Sequence, residues 1–171
     1  NLYFYDHWGS MEIENLLGKI KYMVRAMGCE YIVLDHISIV ISGIEGGDER
    51  RMIDVAMTKL RSLCEEVQCG LLLVSHLRRP SGDRGHEEGV KTSLSQLRGS
   101  HSLAQLSDIV IGCERDQQGE HPDMTTVRVL KNRWTGETGI ATHLYYSKET
   151  GRLTETQLTE VKQYEEDNPD F

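Results

Sequence analysis

A chain of 171 residues, 38% hydrophobic and 27% charged, is sized for about one domain with a buried core. No apolar run reaches the roughly 18 residues of a membrane-crossing helix, and no secretory leader is visible. The net charge of −8 would argue against nucleic acid if it were evenly spread, but six carboxylates against one lysine put −5 of it into residues 155–171, leaving about −3 for the rest.

Leu2-Tyr-Phe-Tyr-Asp6 reads as a short strand. Asn1 to Phe4 and Gly9-Ser-Met11 resemble a protease-site tag and a cloning remnant, but the helical pattern directly after them favours a native strand. Ile13, Leu16, Leu17, Ile20, Met23, Val24 and Met27 fall at i, i+3, i+4 spacing and predict a helix that Gly28 stops. Tyr31-Ile-Val-Leu34 reads as a buried parallel strand with Asp35 at its carboxyl end. Ser42 to Asp48 is a glycine-rich loop in which Asp48 is placed to cap a helix. Met52, Ile53, Ala56, Met57, Leu60, Leu63 and Val67 mark that second amphipathic helix. Gly70-Leu-Leu-Leu-Val-Ser75 is another buried strand, ending in His76, and strand–helix–strand with apolar strands predicts a right-handed parallel βαβ unit.

Leu77 to Thr92 is polar, contains Gly82, Gly85 and Gly89, and predicts a long loop of the functional or mobile kind. Ser93–Leu97 and Ser102–Leu106 read as two short helices about Gly99, and Asp108–Cys113 as a strand. A polar turn through Gly119 and Pro122 leads to Thr125–Leu130 and Ile140–Tyr146, which alternate like antiparallel strands bridged by Trp134 to Gly139. From Glu155 the chain is acidic and nearly free of apolar residues, which predicts a disordered tail. The domain organisation is therefore 1–154 and a tail, 155–171.

Cys29, Cys64, Cys69 and Cys113 lack CxxC spacing and lie in or beside apolar stretches, as reduced core thiols do. The seven histidines form no cluster of metal-site spacing, which argues against structural zinc. Asp35 ends a strand where open α/β sheets bind ligands, and a hydroxyl follows at Ser38. A carboxylate there suits Walker B support of Mg²⁺, and equally an ordinary solvated strand end. His76 ends the neighbouring strand, within reach of a γ-phosphate or incidental to it. Arg78, Arg79 and Arg84 suit a phosphodiester backbone, or make a plain solvated basic loop. Lys131-Asn-Arg133 precedes a β-turn, where a rigid arginine can reach a neighbouring subunit's phosphate; Arg98 and Arg115 are further candidates. A phosphate-cradling GxxxxGK[ST] is absent from the chain, since Gly89-Val-Lys-Thr92 supplies only its Lys-Thr pair.

Several longer segments resemble one family. Leu34-Asp-His-Ile-Ser-Ile-Val40, Asp48-Glu-Arg-Arg-Met-Ile-Asp54, His86-Glu-Glu-Gly89, Leu97-Arg-Gly-Ser100 and Gln105-Leu-Ser-Asp108 are wording shared with the replicative helicase–primases of the bacteriophage T-seven type. Glu114-Arg-Asp-Gln-Gln-Gly119, Thr135-Gly-Glu-Thr-Gly-Ile-Ala141 and Lys148-Glu-Thr-Gly151 continue it, so the likeness spans about Leu2 to Leu153. More distantly the chain is similar to the DnaB and Twinkle ring helicases.

The resemblance implies an α/β, RecA-like P-loop NTPase core: a parallel sheet flanked by helices, with antiparallel strands at its carboxyl-terminal edge. By position it makes Asp35 the Walker B aspartate, indirectly supporting Mg²⁺, and His76 the γ-phosphate sensor. It puts Arg78 and Arg84 at DNA-contacting positions of the loop, with Gly82 at a third basic position and Arg79 as a replacement next door. Ser42 to Arg51 matches a second channel-facing loop. Arg98 and Gln105 fall in the motif linking DNA to nucleotide, Arg133 matches the trans-acting finger, and Arg115 and Tyr146 match residues packed on the base. Phe171, with Asp170 and Asp167 beside it, resembles the tail that docks on the phage DNA polymerase.

The expected whole is a hexameric or heptameric ring that moves 5′ to 3′ on single-stranded DNA, fuelled by ATP or dTTP with Mg²⁺. It would work in the cytoplasm of the infected bacterial host, without a membrane. The family's Walker A loop and catalytic glutamate would precede Asn1, so the chain is expected to be a fragment or the product of a split gene, inactive alone. The competing readings are a non-catalytic DNA- or polymerase-binding or oligomerisation module and, more weakly, a RecA-type recombinase relative.

Overall fold

The computed structural model describes residues 1–6, 12–40, 48–80, 84–97 and 101–156. They form two compact units, one made of Asn1–Leu77 with Leu97–Leu106, the other of Arg78–Gln96 with the chain from Ser107 on.

In the first unit, α1 (Ile13–Met27) turns its apolar stripe inward and buries Leu16 and Ile20. Gly28 ends it in the left-handed conformation at φ 72°, where its N–H returns to the Met23 and Val24 carbonyls. A glycine meets that geometry without a Cβ clash. β1 (Tyr31–Leu34) follows at once, and a 3₁₀ turn (Ile37–Val40) comes after it. α2 (Glu49–Val67) starts at Asp48, whose carboxylate accepts from the Arg50 N–H, as its N-cap spacing predicts. β2 (Gly70–Leu73) then lies parallel to β1, Tyr31 opposite Gly70 and Leu34 opposite Leu73. Ile53, Ala56, Met57, Leu60 and Leu63 of α2 pack with Ile32, Leu34 and Ile37, with α1, and with Leu103 of α3 (Ser102–Leu106) in a single core. Lys21 and Arg25 reach Glu66 across the two helices, and Lys59 reaches Glu14. These pairs are exposed, so they tie the helices loosely and contribute little each.

The opposite face of the β1–β2 pair is bare. Tyr31 and Val33 alternate with the core residues and stand 71% and 67% exposed, with Leu72 and Val74 beside them also in solvent. Parallel sheets are ordinarily covered on both faces.

The second unit is an antiparallel meander in the order β3 (Ile109–Arg115), β4 (Met124–Asn132), β5 (Gly139–Ser147) and β6 (Arg152–Thr156). Asn132 closes the β4–β5 turn by accepting from the Trp134 and Thr135 N–H groups, with Gly136 at φ 75°. The short helix predicted over Ser93–Leu97 is a 3₁₀ turn (Leu94–Gln96).

Four expectations change. Leu2–Asp6 forms no strand: among the described residues no strand pairs with it, and Leu2 and Phe4 are exposed. β2 stops at Leu73, short of Ser75, although Val74 remains bonded to the β1 side through the Leu34 carbonyl and the Ile37 N–H. β6 extends through Glu155 and Thr156, past the start assigned to the tail, held by β5 pairing and by Thr142 Oγ1 donating to Glu155. Cys29, Cys64 and Cys69 are partly buried free thiols, whereas Cys113 lies on the exposed face of β3. Burial, with Cys69 beside it, pushes the Cys64 thiol up to about 11. Residues 42–47 of the glycine-rich loop and the tail from Gln157 lie outside the described residues.

The core and the bare face respond differently to truncation. Ile53→Ala should cost about 2–5 kcal/mol in urea denaturation, while Val33→Ala should stay within about 0.5 kcal/mol of the parent. Equal losses at the two positions would contradict this division of the sheet.

Candidate functional site

Parallel pairing brings two polar strand ends to one edge. Val74 N–H donates to the Leu34 carbonyl at 3.0 Å and Ile37 N–H to the Val74 carbonyl at 3.1 Å, so the segments after β1 and β2 run on side by side. Asp35 leaves β1 at this edge with its side chain exposed, and His76 follows three residues past the end of β2. The sequence singled out both residues but passed over His36, whose ring meets that of His76 edge-on at 4.4 Å between centroids. Among the described residues no cluster of three or more His, Cys, Asp or Glu side chains is arranged to cage a metal. Gln105 is exposed on α3, in the same unit, with its backbone N–H bonded to the His101 carbonyl.

The four-stranded sheet carries the other candidates at its two ends. Arg115, at the end of β3, donates from Nε to the Pro122 carbonyl at 2.6 Å and from Nη2 to Asp123 at 3.2 Å. Asp123 also takes Lys148 Nζ at 2.6 Å, which raises the lysine's pKa, and its carbonyl accepts from the Tyr146 N–H at 2.9 Å. Arg115 and Tyr146 are thus brought together around one aspartate. Arg133 stands just past the other end of β4, where its N–H donates to the Asp108 carbonyl at 2.8 Å and Nη1 pairs with Asp108 at 3.3 Å. Thr125 pairs with Arg115 at the near end. Eight residues of extended chain separate Thr125 from Arg133, roughly 25 Å at the usual strand rise.

Arg78, Arg79 and Arg84 are exposed on the described flanks of the long loop. Arg98 and the tail residues Asp167, Asp170 and Phe171 lie outside the described residues. The loop's returning half is fastened to the sheet by groups that the sequence did not single out. Glu114 of β3 accepts from the Thr92 N–H at 2.7 Å and the Thr92 hydroxyl at 2.8 Å, and from Arg128 Nε and Nη2 of β4 at 2.7 and 2.9 Å. The side chains of Glu114 and Arg128 are only 9% and 14% exposed. Burial by itself would raise the Glu114 pKa, but the bonds from Arg128 and Thr92 outweigh it and hold the carboxyl down to about 2.

That depression has a pH signature. A carboxyl whose folded pKa lies below its unfolded value stabilises the fold above about pH 4.5, and the contribution drains away as pH falls through about 2. The pH-dependent part amounts to roughly 3 kcal/mol. Urea denaturation of the parent and of Glu114→Gln should therefore differ most at neutral pH and converge toward pH 2; a gap independent of pH would remove Glu114 as the cause.

Residues 1–155 match the family described as DnaB-like helicase C terminal domain. The chain is 46% identical over 157 residues to a DNA helicase/primase of Enterobacteria phage T3, covering 92% of this chain and 28% of that protein. The chain thus spans little more than a quarter of that relative's length. Among solved structures it resembles an isolated ATPase domain, with a TM-score of 0.72 at 20% identity over 90% of this chain and 54% of that one. A DnaB-like replicative helicase, solved in a study of its interactions with primase, gives a TM-score of 0.73 at 20% identity over 90% and 37% of the two chains. Both likenesses concern the fold alone; the family match over residues 1–155 identifies this chain as a member of the DnaB-like helicase C-terminal domain family.

Proposed function

We propose that this chain is the carboxyl-terminal part of the RecA-like motor of a replicative ring helicase, with an acidic tail following β6. The observation that carries the reading is the shared edge of β1 and β2. The acid directly after β1 and the imidazole three residues past the end of β2 fall at the same edge of the parallel pair, the imidazole against His36, the residue that follows Asp35. In this reading Asp35 supports Mg²⁺ in cis and His76 reports the state of the γ-phosphate. Mg²⁺ keeps several waters and takes one or two carboxylates plus phosphates rather than a protein cage. A lone strand-end carboxylate fits that requirement. When bound, the ion neutralises charge on the phosphates.

Arg133 acts in trans. Arg115 and Tyr146, read as the base-packing pair, stand at one end of the sheet and Arg133 at the other, roughly 25 Å away by strand rise. That is longer than an extended nucleoside triphosphate. One subunit therefore offers base contacts to one nucleotide and an arginine to another, which supports a ring of six or seven copies. Arg78, Arg79 and Arg84, with Gln105, meet single-stranded DNA, which the ring traverses 5′ to 3′, and Arg98 meets the nucleotide. The fuel is ATP or dTTP, and the setting is the cytoplasm of an infected bacterial host. Phe171, flanked by Asp170 and Asp167, docks on the phage DNA polymerase as an apolar anchor with acidic steering. The bare outer face of β1–β2 supports a further layer that covers it, since parallel sheets are ordinarily packed on both faces.

The absence of GxxxxGK[ST] from the chain favours a second reading for the chain by itself, a binding or assembly module without turnover. Hydrolysis at a helicase-like rate by the 171 residues alone would overturn the claim that the motor is incomplete. In the intact protein, Arg133→Ala should abolish DNA-stimulated hydrolysis and spare nucleotide binding; retained turnover removes it as the finger. Deleting Phe171 should weaken polymerase binding, read by titration, and leave unwinding of a free fork intact. Equal affinity with and without it would reduce the tail to a solubilising end.

A further inference from the structure

Glu114, Arg128 and Thr92 are given no part by the roles argued above. They nevertheless form a closed polar knot among the described residues: two bonds from Arg128 fix Glu114 on the sheet, and two from Thr92 bind the returning half of the arginine-bearing loop to it. Thr92 is 4% exposed and lies against Gly112 of β3. A Cβ on Gly112 would sit 2.2 Å from Thr92 Oγ1, so the missing side chain is what lets the loop close onto the strand. Gly112 stands opposite Arg128 in the β3–β4 register, which brings the guanidinium, the carboxylate and the threonine to one spot. Above it the loop is stitched a second time. Gln117 N–H donates to the Glu87 carbonyl at 2.8 Å, and Gly89, at φ 73°, passes so close to Asp116 that a Cβ would come within 2.9 Å. The outgoing flank is tied in as well, because a ring nitrogen of His86 is hydrogen-bonded to the Arg78 carbonyl at 2.8 Å. The backbone that carries Arg78 and Arg84 is thereby referred to β3 and β4 through residues that present no basic group to solvent themselves.

We propose that Glu114, Arg128 and Thr92 are positioning residues for single-stranded DNA, a buried clamp that sets where the Arg78 and Arg84 guanidinium groups stand. The claim rests on the reading that this loop meets DNA. The clamp itself touches neither DNA nor nucleotide. Its loss lets the arginines wander, so phosphate contacts are lost while nucleotide handling persists.

The test uses the intact protein and an oligothymidylate as the DNA. Thr92→Val removes the hydroxyl at constant shape, Thr92→Ser restores it, and Gly112→Ala wedges a methyl under the loop without changing any charge. Thr92→Val and Gly112→Ala should raise the DNA concentration for half-maximal stimulation about tenfold. They should also flatten the salt dependence of DNA binding, and hold DNA-free hydrolysis and the nucleotide KM within about twofold. Thr92→Ser should behave as the parent. Glu114→Gln should follow Thr92→Val, and if it does not fold, the Thr92 pair decides alone. Half-saturation within twofold of the parent for Thr92→Val and Gly112→Ala, while Arg78→Ala with Arg84→Ala raises it at least tenfold, overturns the clamp and spares the loop reading. A parallel fall of DNA-free and DNA-stimulated hydrolysis also overturns it, because that pattern marks a merely structural role. No response to Arg78→Ala with Arg84→Ala overturns the loop reading itself, and the clamp's role in DNA binding with it.

Discussion

The register of four paired residues governs what the first unit presents. With Tyr31 opposite Gly70, the segments that follow β1 and β2 leave the sheet at the same edge. A slip of one position would turn every side chain of a strand to the wrong face. The register is guarded sterically at its first pair. A Cβ on Gly70 would lie 2.6 Å from the Tyr31 ring, so the glycine makes room for the aromatic in front of it. Ile32 and Leu34 then face α2, and the strand ends are left to the acid and the imidazole.

The second unit is organised by charge held at low exposure. A buried ion pair is stabilising only when its remaining hydrogen-bonding capacity is met. Glu114 meets that condition with four donors, two from Arg128 and two from Thr92. The pair therefore joins β3, β4 and the loop as one body, whereas the exposed pairs of Lys21 and Lys59 only brush neighbouring helices together. Asp123 and Asp108 play smaller versions of the same part at the two ends of the sheet, each holding an arginine by its guanidinium group.

What was legible in the sequence was local. A short apolar run closed by a polar residue announces β1 with Asp35 and β2 with His76, and helical spacing announces α1 and α2. The Glu114–Arg128 pair was not legible, because it joins side chains 14 positions apart through a register that depends on how the 116–123 turn closes. Asp108 is likewise 25 positions from Arg133, its partner across the sheet. β6 hid because Arg152 to Glu155 are all exposed, so its strand carries no inward-facing alternation. Leu2–Asp6 misled in the opposite direction: strand-like composition has no structural meaning without a neighbouring backbone to bond to. Family wording supplied roles for single residues but not for the residues that hold them still.

The uncovered side of the β1–β2 pair also bears on how the chain behaves in solution. Tyr31, Val33, Leu72 and Val74 make a small apolar plate on a sheet whose strands each have one neighbour among the described residues. Plates of this kind are sticky, and open strand edges recruit other strands. A preparation of the isolated chain has to contend with self-association through this surface, more strongly as salt and concentration rise. The same stickiness becomes an asset once a complementary segment packs over this face, because the exposed plate is then buried.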